Sequence, residues 1–97
     1  MTVGICRILL RLPENQSLKG KRQVLKSIIS RLRNHYNVSV AEVGENERWQ
    51  LAALGISCVS NNEQHAQEIL SKAMHFIEES RLEAEVIDFQ TEILHAL

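Results

Sequence analysis

The hydrophobic period of this chain changes at Pro13. From Val3 to Leu12, Gly4, Cys6, Ile8, Leu10 and Leu12 fall on one side of a period-two alternation. Val3, Ile5, Arg7, Leu9 and Arg11 fall on the other. Such alternation marks a strand whose two faces meet different surroundings. Pro13 has no backbone N–H to give to a ladder, so it ends the strand. Beyond it, Leu18, Leu25, Ile28, Ile29, Leu32 and Tyr36 gather in one arc of a helical wheel. The spacing predicts a helix from about Leu18 to His35, with Ser17 as its N-cap and Asn34 to Asn37 closing it.

The same alternation of periods continues. Val38 to Val43 is a short β-branched strand, Gly44-Glu45-Asn46-Glu47 supplies turn residues, and Trp49 to Ser60 is a second partner strand. In that strand Ala52, Leu54, Ile56 and Cys58 share a side. So short a link predicts an antiparallel hairpin. Ser60-Asn61-Asn62-Glu63 matches a capping box, and Ala66, Ile69, Leu70, Ala73, Met74 and Ile77 then recur at helical spacing to about Glu79. In a last strand, Glu83 to Leu94, Ile87, Phe89 and Ile93 alternate against Asp88, Gln90 and Glu92. The order is βαββαβ. With the handedness of crossovers it predicts one α+β, ferredoxin-like domain over residues 1–97. Its four-stranded antiparallel sheet would have order 4-1-3-2, with both helices on one face.

Two helices cover only one face of such a sheet. The other face would carry Val3, Ile5, Leu9, Leu51, Ala53, Val59 and Val86, together with Arg7, Arg11, Asp88 and Glu92. That is a large apolar share for a solvated surface, and patches of this kind mark interfaces. The expectation is a homo-oligomer built on this face, with Arg7 and Arg11 placed to meet Asp88 and Glu92 of the neighbouring last strand or of a partner copy. The simpler alternative is a mixed exposed face partly covered by the arginine stems.

Charge is divided unevenly. Residues 1–33 hold eight bases and one acid, and residues 34–97 hold three bases and eleven acids, although the formal net charge is only -1. The segment SLKGKRQVLKSIISRLR has six bases and no acid. On the wheel, Lys19, Arg22, Lys26 and Arg33 form a stripe beside the apolar arc, with Ser30 in its gap; Lys21 and Arg31 lie off the stripe. A helix stabilised for its own sake tends to intersperse Glu with Lys at i, i+4. Lys19, Lys21 and Arg22 also sit in the first turns, where the helix dipole disfavours cations by roughly 0.3–1 kcal/mol each. An anion at the helix start would reverse that conflict, and Gly20 would let a ligand approach the backbone. Lys19, Lys21, Arg22, Lys26 and Arg33 are therefore the candidate anion or nucleic-acid site; the alternative is a solvated flank.

The usual signatures of chemistry are missing from the sequence. There is no nucleophile elbow, no CxxC, and no HxxxH among His35, His65, His75 and His95. The βαββαβ order is shared with RNA-recognition motifs, which stack bases on sheet aromatics; here the first strand has none and the third offers only Trp49, at its entrance. Its expected place is against the hairpin or the core. The loop PENQSLKGKR is unlike the glycine-rich anion loop of acylphosphatases. Cys6 and Cys58, widely separated, fit buried thiols in a reducing cytoplasm. No apolar run is long enough to span a bilayer, and the opening residues read as a first strand, not a signal peptide.

SLKGKRQVLKS, NVSVAEVGENERWQ and ALGISCVS, in that order and spacing, together resemble the YlxP-like bacterial family, a domain of unknown function. The likeness runs over essentially the whole chain. It implies a ferredoxin-like fold and assigns no activity or site residue. Members are often encoded beside translation-initiation and ribosome-maturation factors, which associates the family with RNA or the ribosome. The combined expectation is a non-enzymatic cytoplasmic binding module, with no cofactor or metal, that holds structured RNA, ribosomal RNA in particular, through its basic helix. Two rivals are a purely protein-binding or self-associating module and a domain that takes a phosphorylated small ligand at the first helix start.

Overall fold

The computed structural model describes residues 1–80 and 83–97. Six elements follow one another: β1 (Thr2–Arg11), α1 (Leu18–His35), β2 (Ser39–Gly44), β3 (Leu51–Ser60), α2 (Glu63–Glu79) and β4 (Glu85–His95). The sheet runs β2-β3-β1-β4 with every neighbouring pair antiparallel. This is the expected ferredoxin-like arrangement, with β2 and β4 as edges.

The core lies between the sheet and the two helices. Cys6, Ile8, Leu10, Ala52, Leu54, Ile56 and Cys58 meet Leu25, Ile28 and Leu32 of α1 and Ala66, Leu70, Ala73 and Ile77 of α2. Burying each large aliphatic side chain contributes about 1.5–3 kcal/mol. The even-numbered residues of β1 supply the core because a strand alternates its side chains and α1 and α2 cover only that face.

Both helix starts are capped from within the chain. Ser17 has extended backbone, and its hydroxyl accepts from the Gly20 N–H at 2.9 Å. At α2 the cap is Asn62, accepting from His65 N–H at 3.0 Å, and not Ser60 as the capping-box pattern predicts. Strand β3 runs through Ser60, whose hydroxyl instead accepts from the Asn62 N–H at 3.1 Å. The helix can therefore begin only after that turn.

Strand β4 departs from simple alternation. Leu9 faces Asp88, but Leu10 faces Val86, so Ile87 is an extra residue in the ladder. A bulge moves every residue before it to the opposite face. Val86, expected on the open face, therefore lies on the helix side, half-buried against the core. Ile87, expected inside, is 46% exposed.

A second irregularity sits between Glu42 and Gly44 in β2. Val43 is left over, and its side chain lies above Gly55, where a Cβ would come within 2.8 Å of it. The β2–β3 connection then turns at Glu45, whose φ of 60° is in the left-handed region. The Glu45 carbonyl accepts from the Arg48 N–H at 3.1 Å, closing the turn.

A candidate anion-binding cleft beside the edge strand

The basic stripe of α1 overhangs edge strand β2. Arg22, Lys26 and Arg33 line one open cleft of about 640 Å³, with Ser30 and Asn34 between them on the helix and Val40, Ala41 and Glu42 opposite. Leu25 and Ile29 form its apolar floor. Helical spacing brings the three cations together, since positions 22, 26, 30, 33 and 34 follow one side of the cylinder. Arg33 is anchored there, donating from Nη2 to the Val40 carbonyl at 2.9 Å. That carbonyl is within its reach because β2 has no strand beyond it.

Lys21 does something else. It is 1% exposed, one of the most deeply buried side chains in the protein. Its Nζ donates to the Glu45 carbonyl at 2.6 Å and the Arg48 carbonyl at 2.8 Å. It also lies 2.8 Å from Glu42 Oε2. That oxygen is buried and receives no well-aligned hydrogen bond, so its contact with Lys21 is charge to charge. Glu42 is the one acid among the residues lining the cleft, and Lys21 neutralises it from behind. Lys21, expected to meet an anion, is thus a structural cation within the fold. Its ammonium ties α1 to the β2–β3 turn and leaves the cleft to Arg22, Lys26 and Arg33. The wheel carried the signal: Lys21 lies about 40° from Leu25, inside the apolar arc.

The start of α1 is filled by the chain itself. The Gly20 N–H is taken by Ser17, and the Lys21 N–H by the Ser17 carbonyl at 3.1 Å. The Asn15 amide donates to the Ser17 carbonyl at 2.7 Å and to the Trp49 carbonyl at 2.5 Å. Its side-chain oxygen sits where a Cβ on residue 20 would project. Gly20 makes room for Asn15 and not for an outside ligand. Lys19 is exposed in this turn and stands outside the cleft lining.

The open face of the sheet carries Val3, Ile5, Leu9, Leu51, Val59 and Asp88 as expected. In cross-strand rows, Val3 stands between Val59 and Leu94, Ile5 between Ser57 and Glu92, and Leu9 between Ala53 and Asp88. Within the chain, the arginine partners differ from those expected on the neighbouring strand. Arg7 donates to Gln90 Oε1. Arg11 pairs with Glu85 Oε2 at 2.6 Å. Register decides this, since Gln90 and Glu85 are the residues facing Arg7 and Arg11, whereas Asp88 and Glu92 face aliphatic side chains. Two shallow depressions flank Arg7 and Gln90 on this face. Trp49 lies just before β3, is 55% exposed, and is not among the residues packed against the core.

Among the described residues there is no group of three His, Cys, Asp or Glu side chains placed to hold a metal. Cys6 and Cys58 are free and buried, and burial pushes the Cys6 thiol above its usual value, away from the reactive thiolate. No helix among the described residues is long and apolar enough to cross a membrane.

The match to known sequences covers residues 3–91 and is to DUF503, described as a protein of unknown function. This chain belongs to the DUF503 family. It is 40% identical over 62 residues to "Uncharacterized protein YlxP" of Bacillus subtilis (strain 168), a match covering 64% of this chain and 67% of that protein. Among solved structures it is similar to the de novo designed protein Foldit4, with a TM-score of 0.56, 10% identity and all of both chains covered. It is also similar to the designed ferredoxin-fold protein LFR1 1, with a TM-score of 0.55 and 14% identity over 100% of this chain and 88% of that one. At such identities these likenesses speak for the fold alone. The DUF503 membership agrees with the bacterial family resemblance read from the sequence and brings no assigned activity.

Proposed function

We propose that this DUF503 protein is a non-enzymatic binding module that holds structured RNA, ribosomal RNA in particular, through phosphate contacts in the α1–β2 cleft. The observation that carries the reading is the convergence of Arg22, Lys26 and Arg33 on one open cleft whose single acid is already paired with Lys21. Three cations with an amide and a hydroxyl between them suit a run of phosphates. The open shape suits a backbone more than an enclosed small molecule. Buried free thiols at Cys6 and Cys58 fit a reducing cytoplasm as its place of work.

Binding of this type depends on salt. Three phosphate contacts correspond to a slope of log K against log salt of about -2 to -3. Fluorescence anisotropy with a labelled RNA hairpin measures it. An affinity that stays flat from low to physiological salt removes the phosphate reading.

A second reading has its own observation. Ile5, Val43, Val59 and Leu94 are exposed on the open sheet face, with the apolar row Val59–Val3–Leu94 crossing one end of it. This favours self-association through that face, and light scattering tests it. The two readings use different surfaces and are compatible.

A further inference from the structure

Trp49 is unexplained by the fold and by the cleft. It is the chain's one tryptophan, and more than half of it lies in solvent. Its backbone, by contrast, is held at three successive residues. The Arg48 carbonyl accepts from Lys21 Nζ at 2.8 Å, and the Trp49 carbonyl from Asn15 Nδ2 at 2.5 Å. The Gln50 carbonyl accepts from Leu12 N–H at 2.8 Å. The Gln50 side chain adds a donation to the Asn15 carbonyl at 3.2 Å. A fixed backbone carrying an exposed indole is an aromatic surface presented in advance, so little ordering cost remains to be met on contact.

Its neighbours indicate what the surface would meet. A depression of about 400 Å³ beside the indole is lined by Arg11, Glu47, Arg48, Gln50 and Leu51. Only Leu51 among these is aliphatic. Tryptophans that anchor protein partners sit in apolar settings that can be fully dried; this one is ringed by charge. A flat ring with polar edges and an attached phosphate fits such a setting, because its face stacks on the indole while Arg48 stays hydrated near the phosphate, Arg11 being held by Glu85. The site also adjoins the cleft. One ammonium, that of Lys21, touches both Glu42 in the cleft wall and the Arg48 carbonyl next to Trp49.

We propose that Trp49 is a stacking platform for an unpaired base of the RNA whose phosphates lie in the α1–β2 cleft. This inference rests on the RNA reading and narrows it to RNA with a single-stranded element beside a structured one.

Because Trp49 is the chain's one indole, its emission reports stacking directly in the unaltered protein. The probes are a labelled RNA duplex with an unpaired adenosine overhang, the same duplex with blunt ends, and inorganic polyphosphate as an anion without bases. The expected result is tighter binding of the overhang RNA, with quenching of Trp49. Blunt duplex and polyphosphate should bind with salt dependence and without quenching. Trp49→Ala should weaken overhang binding by about 5- to 100-fold and leave blunt-duplex binding unchanged, and Trp49→Phe should restore part of the loss. Overhang RNA that binds with unchanged emission, and equally well to Trp49→Ala, overturns the stacking role and leaves the cleft reading standing. If none of the three probes binds at low salt, the cleft reading itself falls and the stacking role with it. A fall in oligomeric mass on Trp49→Ala, without any RNA effect, would make Trp49 a protein contact and also overturn the inference.

Discussion

Lys21 Nζ lies 2.8 Å from Glu42 Oε2, joining the first turn of α1 to edge strand β2 across the β2–β3 turn. The lysine is almost wholly buried and the carboxylate largely so. Such a pair is expensive to break from one side, because the remaining charge and carbonyls lose their partner in a poorly solvated place. Lys21→Met keeps the stem and removes the ammonium. It should lower stability by about 2–3 kcal/mol, less than a fully buried pair would lose because Glu42 keeps some solvent. Urea denaturation of the variant beside wild type checks this. A loss within about 0.5 kcal/mol, the range of ordinary surface substitutions, would mean that the tie contributes little.

Gly20 offers a test of sign. Alanine in place of glycine within a helix normally stabilises by roughly 1 kcal/mol. Here the new Cβ would collide with the Asn15 amide, which bridges Ser17 and Trp49. Gly20→Ala should therefore destabilise, by about 1 kcal/mol or more, once Asn15 is displaced from two hydrogen bonds. In an Asn15→Ala background the same substitution should become stabilising. A thermal-melting double-mutant cycle reads the reversal. If Gly20→Ala stabilises in both backgrounds, the close approach of Asn15 is not what holds glycine there.

Much of this was legible before the fold was seen, for stated reasons. The even-numbered core face of β1 and the two amphipathic helices follow from periodicity alone. So does the grouping of Arg22, Lys26 and Arg33, since helical spacing is local. What was not legible depends on contacts distant in sequence. The bulge at Ile87, which turns Val86 inward, arises from pairing with Leu9 and Leu10 more than 70 residues earlier. The burial of Lys21 depends on oxygens of Glu42, Glu45 and Arg48, although its position in the apolar arc was a visible hint. Trp49 lies in a polar stretch without periodic partners, so nothing local distinguished exposure from packing.

The open face makes its own claim. Val59 is 65% exposed and Leu94 41% exposed, at either end of a row through Val3. Val59→Lys with Leu94→Lys should leave the fold intact, since neither side chain is buried, and should lower the mass measured by light scattering to that of one chain. Unchanged mass in the double variant, with wild type larger than a monomer, would place the self-association elsewhere.

Burial of Cys6 couples stability to alkaline pH. Loss of solvation raises the pKa of its thiol, so folding favours the neutral form. A group whose pKa is raised on folding contributes stability that is complete below its unfolded value and is lost as pH rises toward the folded one. The urea midpoint should therefore fall as pH rises past about 9, and Cys6→Ala should flatten that part of the profile at some cost in packing. A profile equally steep in Cys6→Ala would assign the alkaline loss to other groups.

The central claim concerns Arg22 and Lys26, which line the cleft and, unlike Arg33, have no hydrogen bond or ion pair to a side chain or carbonyl among the described residues. Anisotropy of a labelled RNA hairpin, titrated across salt with wild type, Arg22→Gln and the double variant Arg22→Gln, Lys26→Gln, tests it most directly. The account predicts a wild-type slope of log K against log salt of about -2 to -3, reduced in magnitude by about one unit for each cation removed. Identical slopes and affinities in all three proteins would contradict it.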